Sequence, residues 1–416
     1  MFMYKKILFS FLMSFLCYGL PTFSLENDSS DSFDQSIDSA TEDKTSANEQ
    51  NNTERTDKQD FLENSCEKCQ IPQHLPPIER CSSAPSEKKP LGIFTQAEFL
   101  YFQVKEDGLD FAIRNTEESP LTESLLNLDA SVIPFDFEFK PGFKLGVGFR
   151  IPKHTDWDAF FNWTEINSKC TTKEAYPASV NLGLVPLFWQ PGAFSAYDSP
   201  VRFGECKADF TFYFNSLDVE IGDSFKICNN LFFRPNAGFK GAIIDQKFIV
   251  RSNNGNSVTN ISGNTLNILT GTSTFKSSSK GIGPRIGLDT DWKLPRRDLG
   301  IFANGSFAFL LTRLNTHYIE HDTAYNVTLD ENISDEYKVH EYIWLVKPTL
   351  QITAGINWQK CFKEKYLGLK AGYEIQYFWK QNLSRKLIDD QLEGSTYPDK
   401  GNLYMQGLVI AAQFEF

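Results

Sequence analysis

The sequence predicts an all-β fold, an antiparallel transmembrane β-barrel of about ten strands (range about 10–16) behind a disordered N-terminal tail. Three observations predict it. Apolar and polar-or-small residues alternate with period two through much of 91–416, which marks strands with one apolar face. Short and long connections take turns along the chain, as they do when successive hairpins turn at opposite rims of one sheet. Aromatic residues make up 14% of the chain, yet mean hydropathy is −0.34, so the apolar side chains are spread and not pooled in one helical span.

The chain begins with an export signal over 1–24. Lys5 and Lys6 precede the apolar run Ile7–Leu20, and Thr22 and Ser24 supply the small residues of a cleavage site. The run is too short to cross a bilayer as a helix. Phe15 and Leu16 stand before Cys17 where a lipid-attachment site wants small residues, so no lipoprotein anchor is expected. Residues 25–90 are acidic and then Pro-rich, and such a composition cannot offset the entropy of ordering. They read as a disordered periplasmic tail. The tail carries much of the net charge of −12, which leaves no basic footprint for nucleic acid.

From residue 91 to 416 the alternation takes over. In FKLGVGFRI (143–151) Phe143, Leu145, Val147, Phe149 and Ile151 oppose Lys144, Gly146, Gly148 and Arg150. The same pattern recurs in 231–243, 281–292 and 366–380. Strands are expected near 93–114, 138–151, 156–168, 204–223, 230–250, 275–293, 299–319, 339–359, 365–382 and 401–416. Short turns fall at 152–156, 224–230, 294–298 and 360–365. Longer irregular connections fall near 116–137, 169–202, 251–274, 321–338 and 383–400. A soluble β-sandwich is the competing reading. Against it stand the strand lengths and the polar faces, which are rich in Gly and in charges of both signs. Closing the sheet with its apolar face toward lipid satisfies every backbone group and removes the edges. Trp157, Trp163, Trp292, Trp344, Trp358 and Trp379 lie where interfacial girdles form.

The polar parity turned inward makes the lumen the candidate site. It places Lys144, Arg150, Arg234, Lys240, Arg285, Lys347 and Lys370 against Glu98, Asp158, Asp218, Glu220, Asp289, Asp291 and Glu374. The signs balance, so a charge-selective ring is not implied. Passive diffusion of ions and small hydrophilic solutes follows from an open lumen. A salt-bridged, filled interior and a structural or surface-contact role is the alternative, because ten strands enclose only a modest bore.

Three motifs point elsewhere and fail. His317 and His321 fit H-x-x-E-H, which needs helical spacing, whereas on a strand they lie about 13 Å apart. Gly281, Gly283 and Gly287 lack the third glycine of a dinucleotide loop and precede no helix, so they more simply make room in a narrow lumen. His317, His321 and His340 lie near the outer rim, but no nucleophile–base spacing accompanies them. No enzyme activity, cofactor or metal is expected.

Seven cysteines remain once Cys17 is removed with the signal. Cys66, Cys69 and Cys81 resemble a zinc half-site without a fourth ligand. Cys170 and Cys206 flank one long loop and are expected to be near enough to bridge. Cys228 and Cys361, in short turns, and the three tail cysteines are candidate cross-links to other envelope proteins. The last strand places Leu408, Ile410, Ala412, Phe414 and Phe416 on one parity. Tyr404, Phe414 and Phe416 read as the signal by which barrel-assembly machinery takes up a client.

Nine stretches carry a resemblance: FLYFQV (99–104), DGLDFA (107–112), KPGFKLGVGF (140–149), DWDAFFNWTEI (156–166), SLDVEIGDSF (216–225), LFFRPNAGFKGA (231–242), KGIGPRIGLDTDW (280–292), LGLKAGYEIQYFWKQN (367–382) and NLYMQGLVIAAQFEF (402–416). In this order they resemble the MOMP-like (major outer membrane protein-like) family of pore-forming outer-membrane proteins of Legionella and environmental chlamydiae. The resemblance covers about 93–416 and leaves out the acidic tail. It implies an outer-membrane porin, with disulfide cross-linking in the chlamydial setting, and brings no catalytic residues.

Overall fold

In the computed structural model the described residues are 92–115, 130–151, 156–178, 182–188, 201–228, 230–259, 263–294, 298–362, 365–382, 385–387, 396–398 and 401–415. The signal, the tail with Cys66, Cys69 and Cys81, and Phe416 lie outside them. Among the described residues ten long strands form the wall: β1 (Ile93–Glu106), β2 (Phe139–Arg150), β3 (Trp157–Ala175), β4 (Phe203–Asp223), β5 (Leu231–Gly255), β6 (Thr265–Lys293), β7 (Leu299–Asn326), β8 (Glu331–Phe362), β9 (Lys365–Asn382) and β10 (Gly401–Glu415). Each pairs antiparallel with its neighbours in sequence. β10 also pairs with β1, from Phe94↔Glu415 to Glu106↔Leu403, and closes the ring.

The strand count matches expectation, but several strands run farther outward. The stretches expected to be irregular near 251–274 and 321–338 are mostly strand. β5 reaches Gly255, β6 starts at Thr265, and β7 and β8 are joined by only Val327–Asp330. In that turn the Asn326 side-chain oxygen accepts from the amides of Thr328 (3.0 Å) and Leu329 (3.1 Å), and Asp330 takes φ +56°. The alternation faded there for a physical reason: above the bilayer the outer face meets water, so it needs no apolar residues even though pairing continues. At the other extreme, the expected strand 93–114 breaks after Glu106. Gly108 adopts φ +81°, and the chain turns into a short inner strand, Ala112–Asn115.

The sense of the alternation reverses along the wall. Near the inner rim of β4 the apolar parity is Leu217, Val219 and Ile221, all exposed on the outer surface. Farther out it becomes Phe210, Phe212 and Phe214, all buried inside. β1 does the same, with Phe99 and Tyr101 outside and Leu100, Phe102 and Val104 inside. β5 places Phe239 and Ile243 outside but Ile244, Phe248 and Val250 inside. The wall therefore has an apolar outer band on its inner-rim half, suited to lipid. Beyond the band its outer surface is polar, with ion pairs such as Arg251–Asp209 and Lys173–Glu205.

Inside the inner half, glycines on β2 make room for aromatics. Phe94 and Phe160 stack at 5.6 Å, and a Cβ on Gly146 or Gly148 would collide with the ring of Phe160 or Phe94 respectively. Gly148→Val is expected to destabilise the barrel by about 1–3 kcal/mol through overpacking. Combining it with Phe94→Ala should restore much of the loss, as thermal unfolding in detergent would register.

Candidate functional site

All thirteen predicted lumen residues, and Glu98 with them, do lie on inward-facing positions of the wall. Their surroundings build up in layers from the short-turn rim. Arg150 Nη2 reaches Glu415 at 2.8 Å, and Asp291 accepts from Asn357 (2.7 Å) and Gln359 (2.9 Å). Lys370 Nζ sits 5.4 Å from the centre of the Phe302 ring. These strands keep such residues inward simply because the period is two and the opposite parity faces lipid.

Arg234 on β5 is the hub of the next layer. Its guanidinium holds Asp158 of β3 at 2.6 Å, Glu220 of β4 at 2.7 Å and Asp289 of β6 at 2.6 Å. A planar fork with five donors suits three carboxylates converging from three strands. Arg285 adds ion pairs to Glu220 and, at 3.6 Å, to Asp218, and donates to Asn236 at 2.9 Å. Asp218 also takes Lys240 at 3.1 Å. Above it Lys144 pairs with Glu374 (2.6 Å) and Glu98 (3.5 Å), spanning the bore from β2 to β9. Glu374 also accepts from Thr353 (2.9 Å), Gln376 (2.6 Å) and Gln351 (3.1 Å).

The uppermost polar layer contains residues that the sequence reading missed. Lys347 donates to Ser279 (3.1 Å) and Gln381 (2.7 Å), Gln381 donates to Gln246 (3.1 Å), and Gln246 donates to Glu106. Glu106 was legible, because it continues the inward parity of Leu100, Phe102 and Val104. The two glutamines were passed over because they are uncharged. The layer is buried, with Lys347 1% and Gln381 0% exposed.

An aromatic plug caps this layer. It combines wall residues with three short inner strands, Ala112–Asn115, Ala130–Ile133 and Gly183–Pro186, which pair among themselves and through Leu184 with Phe203. Phe135 packs on Phe210 (6.1 Å) and Phe248 (5.7 Å), and Phe214 on Phe378 (5.6 Å). Phe188 touches Phe248 at 5.4 Å, and its carbonyl accepts from Tyr318 of β7 at 2.5 Å, so the plug is tied to more than one stave. Among the described residues the inward positions thus carry paired charges nearer the short-turn rim and packed rings farther out.

The expected Cys170–Cys206 bridge is corrected. On paired β3 and β4, Cys170 faces Phe210 and Cys206 faces Glu174, a four-residue offset of about 13 Å along the strands. A disulfide needs Cα atoms within about 7 Å. Both cysteines are free and buried, and the Cys206 thiol lies 3.4 Å from the Ser252 hydroxyl. Cys228 ends the short strand Phe225–Cys228, and Cys361 lies in β8 beside the turn to β9. Tyr404 and Phe414 are on the outer parity of β10, with the Tyr404 hydroxyl 3.4 Å from that of Tyr377. Among the described residues no three His, Cys, Asp or Glu side chains gather as a metal centre.

Solved structures with a similar fold include the outer membrane protease OmpT from Escherichia coli, 10% identical, with 79% of this chain and 99% of that chain covered and a TM-score of 0.31. Another is a major outer membrane protein from Thermus thermophilus, 9% identical over 78% of this chain and 99% of that one, at a TM-score of 0.25. The attachment invasion locus protein Ail of Yersinia pestis is 11% identical over 79% and 100%, at 0.22. At such scores none of the three bears on activity. No curated protein matches the chain. Residues 83–416 match the family model described as Legionella pneumophila major outer membrane protein precursor. That match spans well over half of the chain and takes in the entire closed wall, so the protein belongs to this major outer membrane protein family and resides in the bacterial outer membrane.

Proposed function

We propose that the protein is a closed outer-membrane barrel with a structural and surface-contact role, and that its projecting outer rim is the working surface. One observation carries this reading: among the described residues most inward charges are ion-paired or hydrogen-bonded, and the inward rings beyond them pack on one another. A diffusion pore would leave them wetted, as the lumens of wide barrels are. The polar outer surface beyond the lipid band supports a wall that stands above the membrane. Outer-membrane lipid and the assembly machinery are its proposed partners, and catalysis forms no part of the proposal. Planar-bilayer recording of the refolded, tag-free chain tests it. Silence at protein levels where a control porin opens is the expected result. Reproducible open-channel steps would overturn it and restore the porin reading that the sequence alone favours.

A further inference from the structure

We infer that His317 and His340 form a two-imidazole site for a borderline divalent transition metal on the outer wall. The H-x-x-E-H spacing carries no metal on one strand, but the register supplies a different pair. His317 of β7 lies directly opposite His340 of β8. Their rings are 4.5 Å apart between centroids, and the two Nδ1 atoms face each other at 2.5 Å. Directly opposed residues on antiparallel strands have Cβ atoms about 4.5–5.5 Å apart, which suits two ligands of one ion. An ion bound about 2.0–2.1 Å from each nitrogen needs only a modest opening of the pair. Each imidazole then serves as a ligand through Nδ1.

The pair sits just beyond the lipid band. On β7 the outward parity runs Phe309, Leu311, then Arg313, Asn315 and His317, with Ile319 beyond. On β8 Trp344 and Tyr342 precede His340 on the way outward. Tyr342 packs edge-on against His317 at 6.5 Å, and the Arg313 guanidinium lies 5.8 Å from the centre of the Tyr342 ring, which fixes one side of the site. Two other cations are near in the sheet. Lys276 pairs in register with His317, and Lys338 lies two residues from His340 and is engaged by Glu336 at 2.7 Å. The protein supplies two ligands, and water completes the shell. Imidazole donors favour Cu2+ over Zn2+ and discriminate against Mg2+ and Ca2+.

The test uses tag-free full-length protein refolded in detergent, with His74 and His154 replaced so that only three of the five histidines remain. Calorimetric titration with Cu2+ is expected to show one site per chain, with no binding of Mg2+. His317→Ala and His340→Ala should each weaken it at least about tenfold, no less than the loss of an outer-sphere partner does. His321→Ala should leave it unchanged. Cu2+ electron paramagnetic resonance should show coupling to two ring nitrogens, falling to one in either single variant. An unshifted heat-modifiable gel mobility confirms that the exposed substitutions leave the barrel folded. Absence of Cu2+ binding, undiminished affinity in the His317 and His340 variants, or an equal loss in His321→Ala would each overturn the site.

Discussion

Arg234→Ala is expected to destabilise the barrel by about 3–5 kcal/mol, the range for removing one partner from a buried ionic cluster. The cost comes less from lost attraction than from what is left behind. Asp158 and Asp289 lose their ion-pair partner, while Glu220 keeps only Arg285. Three carboxylates then face one another with little water to solvate them. Arg234→Lys should recover little, because one ammonium cannot meet three carboxylates from three strands with a rigid fork. Adding Asp158→Asn and Asp289→Asn to Arg234→Ala should return a substantial part of the loss, since it removes the repulsion that the single variant creates. Urea unfolding followed by tryptophan fluorescence, with the gel-mobility shift as a second probe, measures both effects. A single variant within about 1 kcal/mol of the parent would mean that the cluster is solvated.

Phe210→Ala or Phe248→Ala is expected to cost about 3–5 kcal/mol, as truncation of a buried phenylalanine does. Phe210 is 1% exposed and packs against Phe135, Phe137, Phe212 and Phe248, so its removal opens a cavity bounded by several strands. The same truncation at Trp344, which is 66% exposed on the outer face, removes contact with lipid and leaves the interior intact. The contrast separates packing from mere aromatic content. If both variants lose equal stability in the same detergent, the plug is not the close-packed body described above.

Much of the wall was legible because a period of two ties side-chain direction to position. Once Leu145 faces lipid, Lys144 faces the lumen, and the same logic placed Arg234, Asp289 and Glu374. Direction says nothing of reach. Whether Lys144 meets Glu374 across the bore depends on the diameter and on the register of strands far apart in sequence. That is why the sequence placed these charges inward but could not say which of them meet. The plug was partly readable: in ADFTFYF (208–214) the apolar parity is opposite to that of LDVEI (217–221), and such an inversion marks where a strand leaves lipid. The cysteine pair misled for a related reason. Flanking the same loop brings two residues to neighbouring strands but leaves their offset along those strands open. The imidazole pair was hidden because His317 and His340 come from different strands, and only the register unites them.

The seam between β1 and β10 has a kinetic consequence. Across it the Tyr404 hydroxyl reaches Asp107, a partner 297 residues away in sequence. Every other neighbouring pair in the wall is consecutive along the chain and can zip from its own hairpin. The seam alone has to wait for all the others, and loop closure over such a distance is the slow, high-contact-order step of maturation. Until it is made, β1 and β10 each present an unpaired edge, the surface most prone to pairing with the wrong chain. The vulnerable interval in the life of this protein is therefore the time between finishing the sheet and shutting it.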